Sequence, residues 1–167
     1  MKRYAICVLL GLWLSPASAQ EAATTREHLA PAGWEDSYHD LHYTPVVRLG
    51  DRVIVSGIPA AVGKTEEDKI RWMFAQLKAH LERAGASLDD VVELNSFHVA
   101  EDHEEFRRRI EIVLKVHREV FKGHYPAWTA VGTSALYSKD APMELRAEAI
   151  IGSGKRAKAD IPLPTAD

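Results

Sequence analysis

From Tyr43 onward, apolar residues recur with two periods that alternate along the chain. Tyr43–Leu49 and Arg52–Ile58 are rich in Val and Ile and are separated by Gly50-Asp51, the pattern of two antiparallel strands around a tight turn. Pro45 makes the first an edge strand or interrupts it there. After a loop over Pro59–Lys64, residues Ile70, Met73, Phe74, Leu77, Leu81 and Ala84 fall at helical spacing. Thr65 stands where an N-cap belongs, Glu66, Glu67 and Asp68 suit the dipole of the first turn, and Gly85 ends the helix. Val91–Val99 reads as a third strand. A second helix spans Asp102–Phe121, with Phe106, Ile110, Val113 and Val120 as its inner stripe. Its charged run, Glu104 to Arg109, reads as a solvated face laced with i,i+4 pairs. Pro126 stops further helix. Ala127–Leu136 and Met143–Ile151 are the fourth and fifth strands, joined by a loop over Tyr137–Pro142.

The order ββ-α-β-α-ββ predicts an α/β (α+β) domain: a mixed sheet with two helices on one face. Each helix is apolar on one side only, so each needs the sheet. The opposite sheet face is then left bare, and a monomer would expose too much apolar surface there. The expected remedy is association of copies through that face.

The segment before Tyr43 has a different character. Lys2 and Arg3 precede an apolar run, Tyr4–Leu14, and then Ala17-Ser18-Ala19 before Gln20. This is the layout of a cleavable export signal, with cleavage between Ala19 and Gln20. The expected organisation is a signal peptide over 1–19, a polar N-terminal arm over 20–42 that becomes ordered near Trp34, a domain over 43–151 and a flexible tail over 152–167. Cleavage removes Cys7, the chain's one cysteine, so the mature protein carries no thiol and no disulfide. It also removes Lys2 and Arg3, leaving 19 Lys and Arg against 24 Asp and Glu, a net charge of −5. That balance argues against nucleic acid as a partner, since phosphate binding needs a positive field. The expected location is outside the cytoplasm, most simply a Gram-negative periplasm, with no stable membrane insertion.

Familiar catalytic motifs are absent. The chain has eight histidines but no H-E-x-x-H pair, no P-loop, no G-x-S-x-G elbow and no dinucleotide G-x-G-x-x-G. Neither a metal nor a cofactor is expected. One constellation remains. Ser56-Gly57 closes the second strand, Tyr125-Pro126-Ala127-Trp128-Thr129-Ala130 opens the fourth, and Glu144, Arg146 and Glu148 share one face of the fifth. Such an acid-base-acid face serves equally as a set of interface ion pairs or as part of a ligand site.

These segments resemble the Rid family, also called YjgF/YER057c/UK114. The resemblance rests on Gly50–Gly57, Ala84–Val92, Phe97-His98-Val99, Tyr125-Pro126-Ala127 and Glu144–Ala147, in order and nearly constant in spacing, from about Trp34 to Ile151. It implies a chorismate-mutase-like fold, a homotrimer, and three clefts between subunits. The best-known members hydrolyse 2-aminoacrylate-type enamines and imines to keto acids and ammonia, without metal or cofactor. Others are reported as ribonucleases, translation inhibitors or chaperones.

Carried over by residue, the resemblance makes Tyr43 the cleft-rim tyrosine and Ser56-Gly57 the pair whose backbone approaches the ligand. Glu144 becomes the acid that orients water or a proton. The departure is Trp128, where deaminating members have an arginine that grips the substrate carboxylate; Thr129 follows, and Ala130 replaces a frequent cysteine. Tryptophan offers one N–H and an apolar face but no charge. The expectation is a retained cleft with altered preference, Trp128 stacking on a flatter or less anionic ligand; Arg146 supplies a substitute cation only if the cleft is reshaped. Three functions remain open at this point: an imine or enamine hydrolase with shifted substrate, a non-catalytic periplasmic metabolite binder, and a holdase-type interaction protein.

Overall fold

The computed structural model describes residues 25–164. The export signal and its cleavage position lie outside the described residues. Among those described, no helix is long and apolar enough to cross a membrane.

Six strands form one sheet: β1 (Arg26–Leu29), β2 (Val46–Leu49), β3 (Arg52–Pro59), β4 (Val91–Val99), β5 (Ala127–Thr133) and β6 (Met143–Ile150). Their spatial order is β1-β2-β3-β6-β4-β5. All neighbours are antiparallel except β4 and β5, which are parallel and joined by a helical crossover. Helix α1 (Glu35–His39) is a short turn of helix in the arm. Helices α2 (Glu66–Arg83) and α3 (His103–Val120) are the two long ones.

Both long helices cover one face of the sheet. Val53, Val55, Ile58, Leu94, Leu145, Ala147 and Ala149 point to that side and join Ile70, Met73, Leu77 and Leu81 of α2 and Val113 and Val116 of α3 in one core. Thr65 caps α2 in a full capping box: its side chain accepts the Asp68 N–H while the Asp68 carboxylate accepts the Thr65 N–H. On the uncovered face, Phe97 of β4 lies beside Val131 of β5, and they remain 37% and 45% exposed. They make a small exposed apolar patch on a face that also carries Glu144, Arg146 and Glu148.

Three details depart from the sequence reading. The arm contributes a strand: β1 pairs with β2 from Arg26↔Leu49 to Leu29↔Val46. The buried stripe of α3 is Arg109, Val113, Val116 and His117, rotated from the expected Phe106–Ile110–Val113–Val120. Arg109 is therefore no part of a solvated face. It is 6% exposed and its Nε donates to Glu66 Oε1 at 2.6 Å and its Nη2 to Glu105 Oε1 at 3.1 Å. A carboxylate from another helix is what makes its burial tolerable. Finally, the tail begins in a fixed turn: the Gly154 N–H donates to Asp90 Oδ1 at 3.2 Å.

Candidate functional site

A β-bulge shapes the site. Val55 pairs with Ala147, but the next register pair is Ile58 with Leu145, so Ser56 and Gly57 together face Arg146 on β6. Two bonds pin the bulge. The Ser56 N–H donates to the Pro45 carbonyl at 2.9 Å, and the Ser56 hydroxyl donates to the Thr44 carbonyl at 2.7 Å. Gly57 leaves room that Glu144 uses: a Cβ at position 57 would overlap the Glu144 carboxylate.

Glu144 sits in register with Pro59 on one side and Phe97 on the other. Burial pushes its carboxyl up from the ordinary carboxylate value, disfavouring the ionised form. A carboxyl held this way can carry a proton nearer neutral pH than a solvated one.

Around it opens a pocket of about 550 Å³. Tyr43, Ser56, Gly57 and Glu144, four residues singled out in the sequence, line it together. So do Trp34, Ser37, Leu41, Pro59, Tyr137 and Ser138, which sequence reasoning missed. Trp34 and Ser37 belong to the arm around α1. The one available signal was the Pro31-Ala32-Gly33-Trp34 turn, where order was expected to begin. Tyr137 lies in the loop between β5 and β6 and is largely exposed.

The other predicted site residues lie elsewhere in the protomer. Trp128 pairs with Leu94 and Ala130 with Ser96, and both point to the helix-covered side. The Trp128 indole N–H donates to Ser96 Oγ at 2.8 Å, and its ring stacks on His117, 5.4 Å between centroids and 9° from parallel. Its N–H and one ring face are thus committed inside the protomer, and it lines no part of the pocket around Glu144 in the same protomer. Thr129 pairs with Asn95 on the uncovered face. Arg146 donates to Glu148 Oε1 at 2.6 Å, and Glu148 also holds Arg52 at 2.7 Å. The Arg146 guanidinium is therefore ion-paired, and it lines no part of the pocket within one protomer. No group of His, Cys, Asp and Glu among the described residues is arranged to hold a metal.

Under α3 lies a second polar cluster. Ser96 Oγ is shared by Trp128 and by His98 Nε2 at 2.8 Å. His98 is fully buried, and burial, aided by the nearby Arg109 charge, drives its pKa down to about 4.

The sequence matches the model of the family described as endoribonuclease L-PSP over residues 38–151, more than half of the chain. The chain belongs to this family, the Rid (YjgF/YER057c/UK114) proteins. Its sequence is 32% identical over 124 residues to the RutC family protein YjgH of Escherichia coli (strain K12), covering 69% of this chain and 88% of that one. The solved structure of protein YJGH superposes with a TM-score of 0.65 at 30% identity, covering 75% of this chain and 96% of that one. A member of the YjgF/YER057c/UK114 family from Mycobacterium tuberculosis has the same fold, with a TM-score of 0.65 at 24% identity over 76% of this chain and all of that one. These Rid relatives share the helix-backed mixed sheet, with the chorismate-mutase-like layout expected from sequence.

Proposed function

We propose that this Rid protein hydrolyses imines or enamines in the pocket around Glu144, with a preference altered from that of its deaminating relatives. The observation that carries this is the position of the Glu144 carboxyl, half-buried against Gly57 and facing the pocket with its pKa raised. The protonated carboxyl gives its proton to the imine nitrogen. Water then adds to the carbon of the C=N bond, and the carboxylate takes the proton that water releases. The same acid returns a proton to nitrogen, and as the C–N bond breaks its carboxylate takes the hydroxyl proton of the carbinolamine, leaving a carbonyl compound, ammonia and the acid as it began. No metal or redox partner is needed for the balance.

In this reading three copies assemble through the uncovered sheet face, and the β5 edge of one subunit, with Thr129, closes the cleft of the next. Export to the periplasm places the protein away from cytoplasmic RNA. The ribonuclease description attached to the family therefore suits this chain poorly, as does the net charge of −5 once Lys2 and Arg3 are gone.

A non-catalytic metabolite binder is the second reading, with a holdase-type role behind it. One observation favours the binder. The Ser56 hydroxyl is already given to Thr44, and Glu144 is the only carboxyl lining the pocket among the described residues, so no second carboxyl shares the proton transfers. The discriminating experiment measures ammonia release from imines generated in situ, with mature wild-type protein and Glu144→Gln. Turnover that falls in the variant supports the hydrolase. Ligand-induced thermal stabilisation with no product in either protein establishes the binder instead.

A further inference from the structure

The wall of the pocket opposite Glu144 comes largely from the arm. Trp34 and Ser37 precede the residues that match the family. The wall is rigid. The Trp34 indole N–H donates to Gln76 Oε1 at 3.0 Å, and its ring meets His80 edge-on at 4.6 Å. The Tyr43 N–H donates to the Ser37 carbonyl at 3.0 Å, tying the arm to the rim. Trp34, Leu41, Tyr43 and Tyr137 make the lining aromatic and apolar. Among the described residues, no Lys, Arg or His lines it.

The charges in the pocket decide what it admits. A free carboxylate entering it would lose water, meet no cation on this protomer's walls and lie near a second carboxyl. An uncharged ring would lose little on desolvation and gain faces to pack on. The pocket volume, about 550 Å³, suits a ligand of one or two rings.

We propose that the arm turns this pocket into a site for uncharged, ring-bearing carbonyl or imine compounds and against small keto acids and their imines. This rests on the reading of the Glu144 pocket as the ligand site. It also locates the altered preference in Trp34 and its neighbours, ahead of the family-matched region, and not in Trp128.

The test is calorimetry on the mature full-length chain with benzaldehyde and indole-3-carboxaldehyde against pyruvate and 2-oxobutyrate. The aldehydes are expected to bind at least about tenfold more tightly. Trp34→Ala should weaken them by about tenfold, the scale of one lost aromatic contact, and should weaken pyruvate less. Trp34→Phe should restore most of the loss. Leu41→Arg, at a half-exposed position that tolerates the change, should improve pyruvate binding and worsen that of the aldehydes. Equal or tighter binding of pyruvate by the wild type overturns the proposal. So does failure of every probe to bind, or aldehyde binding indifferent to both Trp34 variants and to Leu41→Arg. The two readings fail separately. Ring aldehydes that bind a protein unable to hydrolyse any imine leave this inference standing and remove the hydrolase. Preferred turnover of carboxylate-bearing imines does the reverse.

Discussion

The Glu144 carboxylate occupies the space above Gly57 that any side chain at that position would claim. The two residues are separated by most of the chain, yet the bulge on β3 and the register of β6 make them one unit. Ser56 fixes the bulge, Gly57 empties it, and Glu144 fills it.

Gly57→Ala should therefore act on the acid before it acts on the fold. The overlapping atoms belong to the far end of a flexible side chain, so the carboxyl swings away at a cost of about 1 kcal/mol. Thermal unfolding should change little, while pocket chemistry should fall by about a hundredfold, the scale of a displaced general acid. Full activity in Gly57→Ala would separate the carboxyl's position from its function.

Glu144 also gives stability a pH signature. Its pKa is raised above the ordinary 4.5 by burial, so the native state holds this proton more tightly than the unfolded chain. Its contribution is fully present below about pH 4.5 and is lost as pH rises through the native value. Glu144→Gln should raise the unfolding temperature relative to wild type at pH 8 and leave the two alike at pH 4. Melting curves at both pH values check this.

His98 works with the opposite sign. Its native pKa of about 4 lies below the ordinary 6.5, so the unfolded chain binds the proton first. Stability is present above pH 6.5 and is lost as pH falls toward 4, by about 3 kcal/mol if the whole difference is expressed. His80 and His117 are lowered as well, in each case mainly by burial. Denaturant titrations should show a steep loss between pH 6.5 and 4, shallower in His98→Gln.

Arg109 joins α3 to the first turn of α2 through Glu66, which also binds Arg108 at 2.8 Å. Arg109→Ala should cost about 2–4 kcal/mol, since it removes packing and leaves a half-buried carboxylate with a weaker partner. Arg109→Met keeps the volume and should recover part of that. The pair of unfolding curves separates charge from packing.

The long elements were readable because burial leaves a period. Every α2 core residue falls on one stripe, and Met143, Leu145, Ala147 and Ala149 alternate cleanly with Glu144, Arg146 and Glu148. Tyr43, Ser56, Gly57 and Glu144 were readable because their surroundings are local motifs. What escaped was nonlocal. β1 is four residues of an edge strand with three exposed side chains, so it carries no alternation. Arg109 looked solvated because its partner Glu66 sits on another helix. The side to which Trp128 points follows from its pairing with Leu94, and the sequence around Pro126 does not announce that pairing. Trp34 joined the pocket through contacts with α2 that no spacing rule reports.

The last strand in the chain is the fourth across the sheet. β6 lies between β3 and β4, so β1-β2-β3 and β4-β5 remain two separate halves until Ile150 is available to join them. No truncated product ending before that point can complete its backbone pairing. The sheet therefore closes only when the last of its strands has been made, and its pairing depends on contacts distant in sequence.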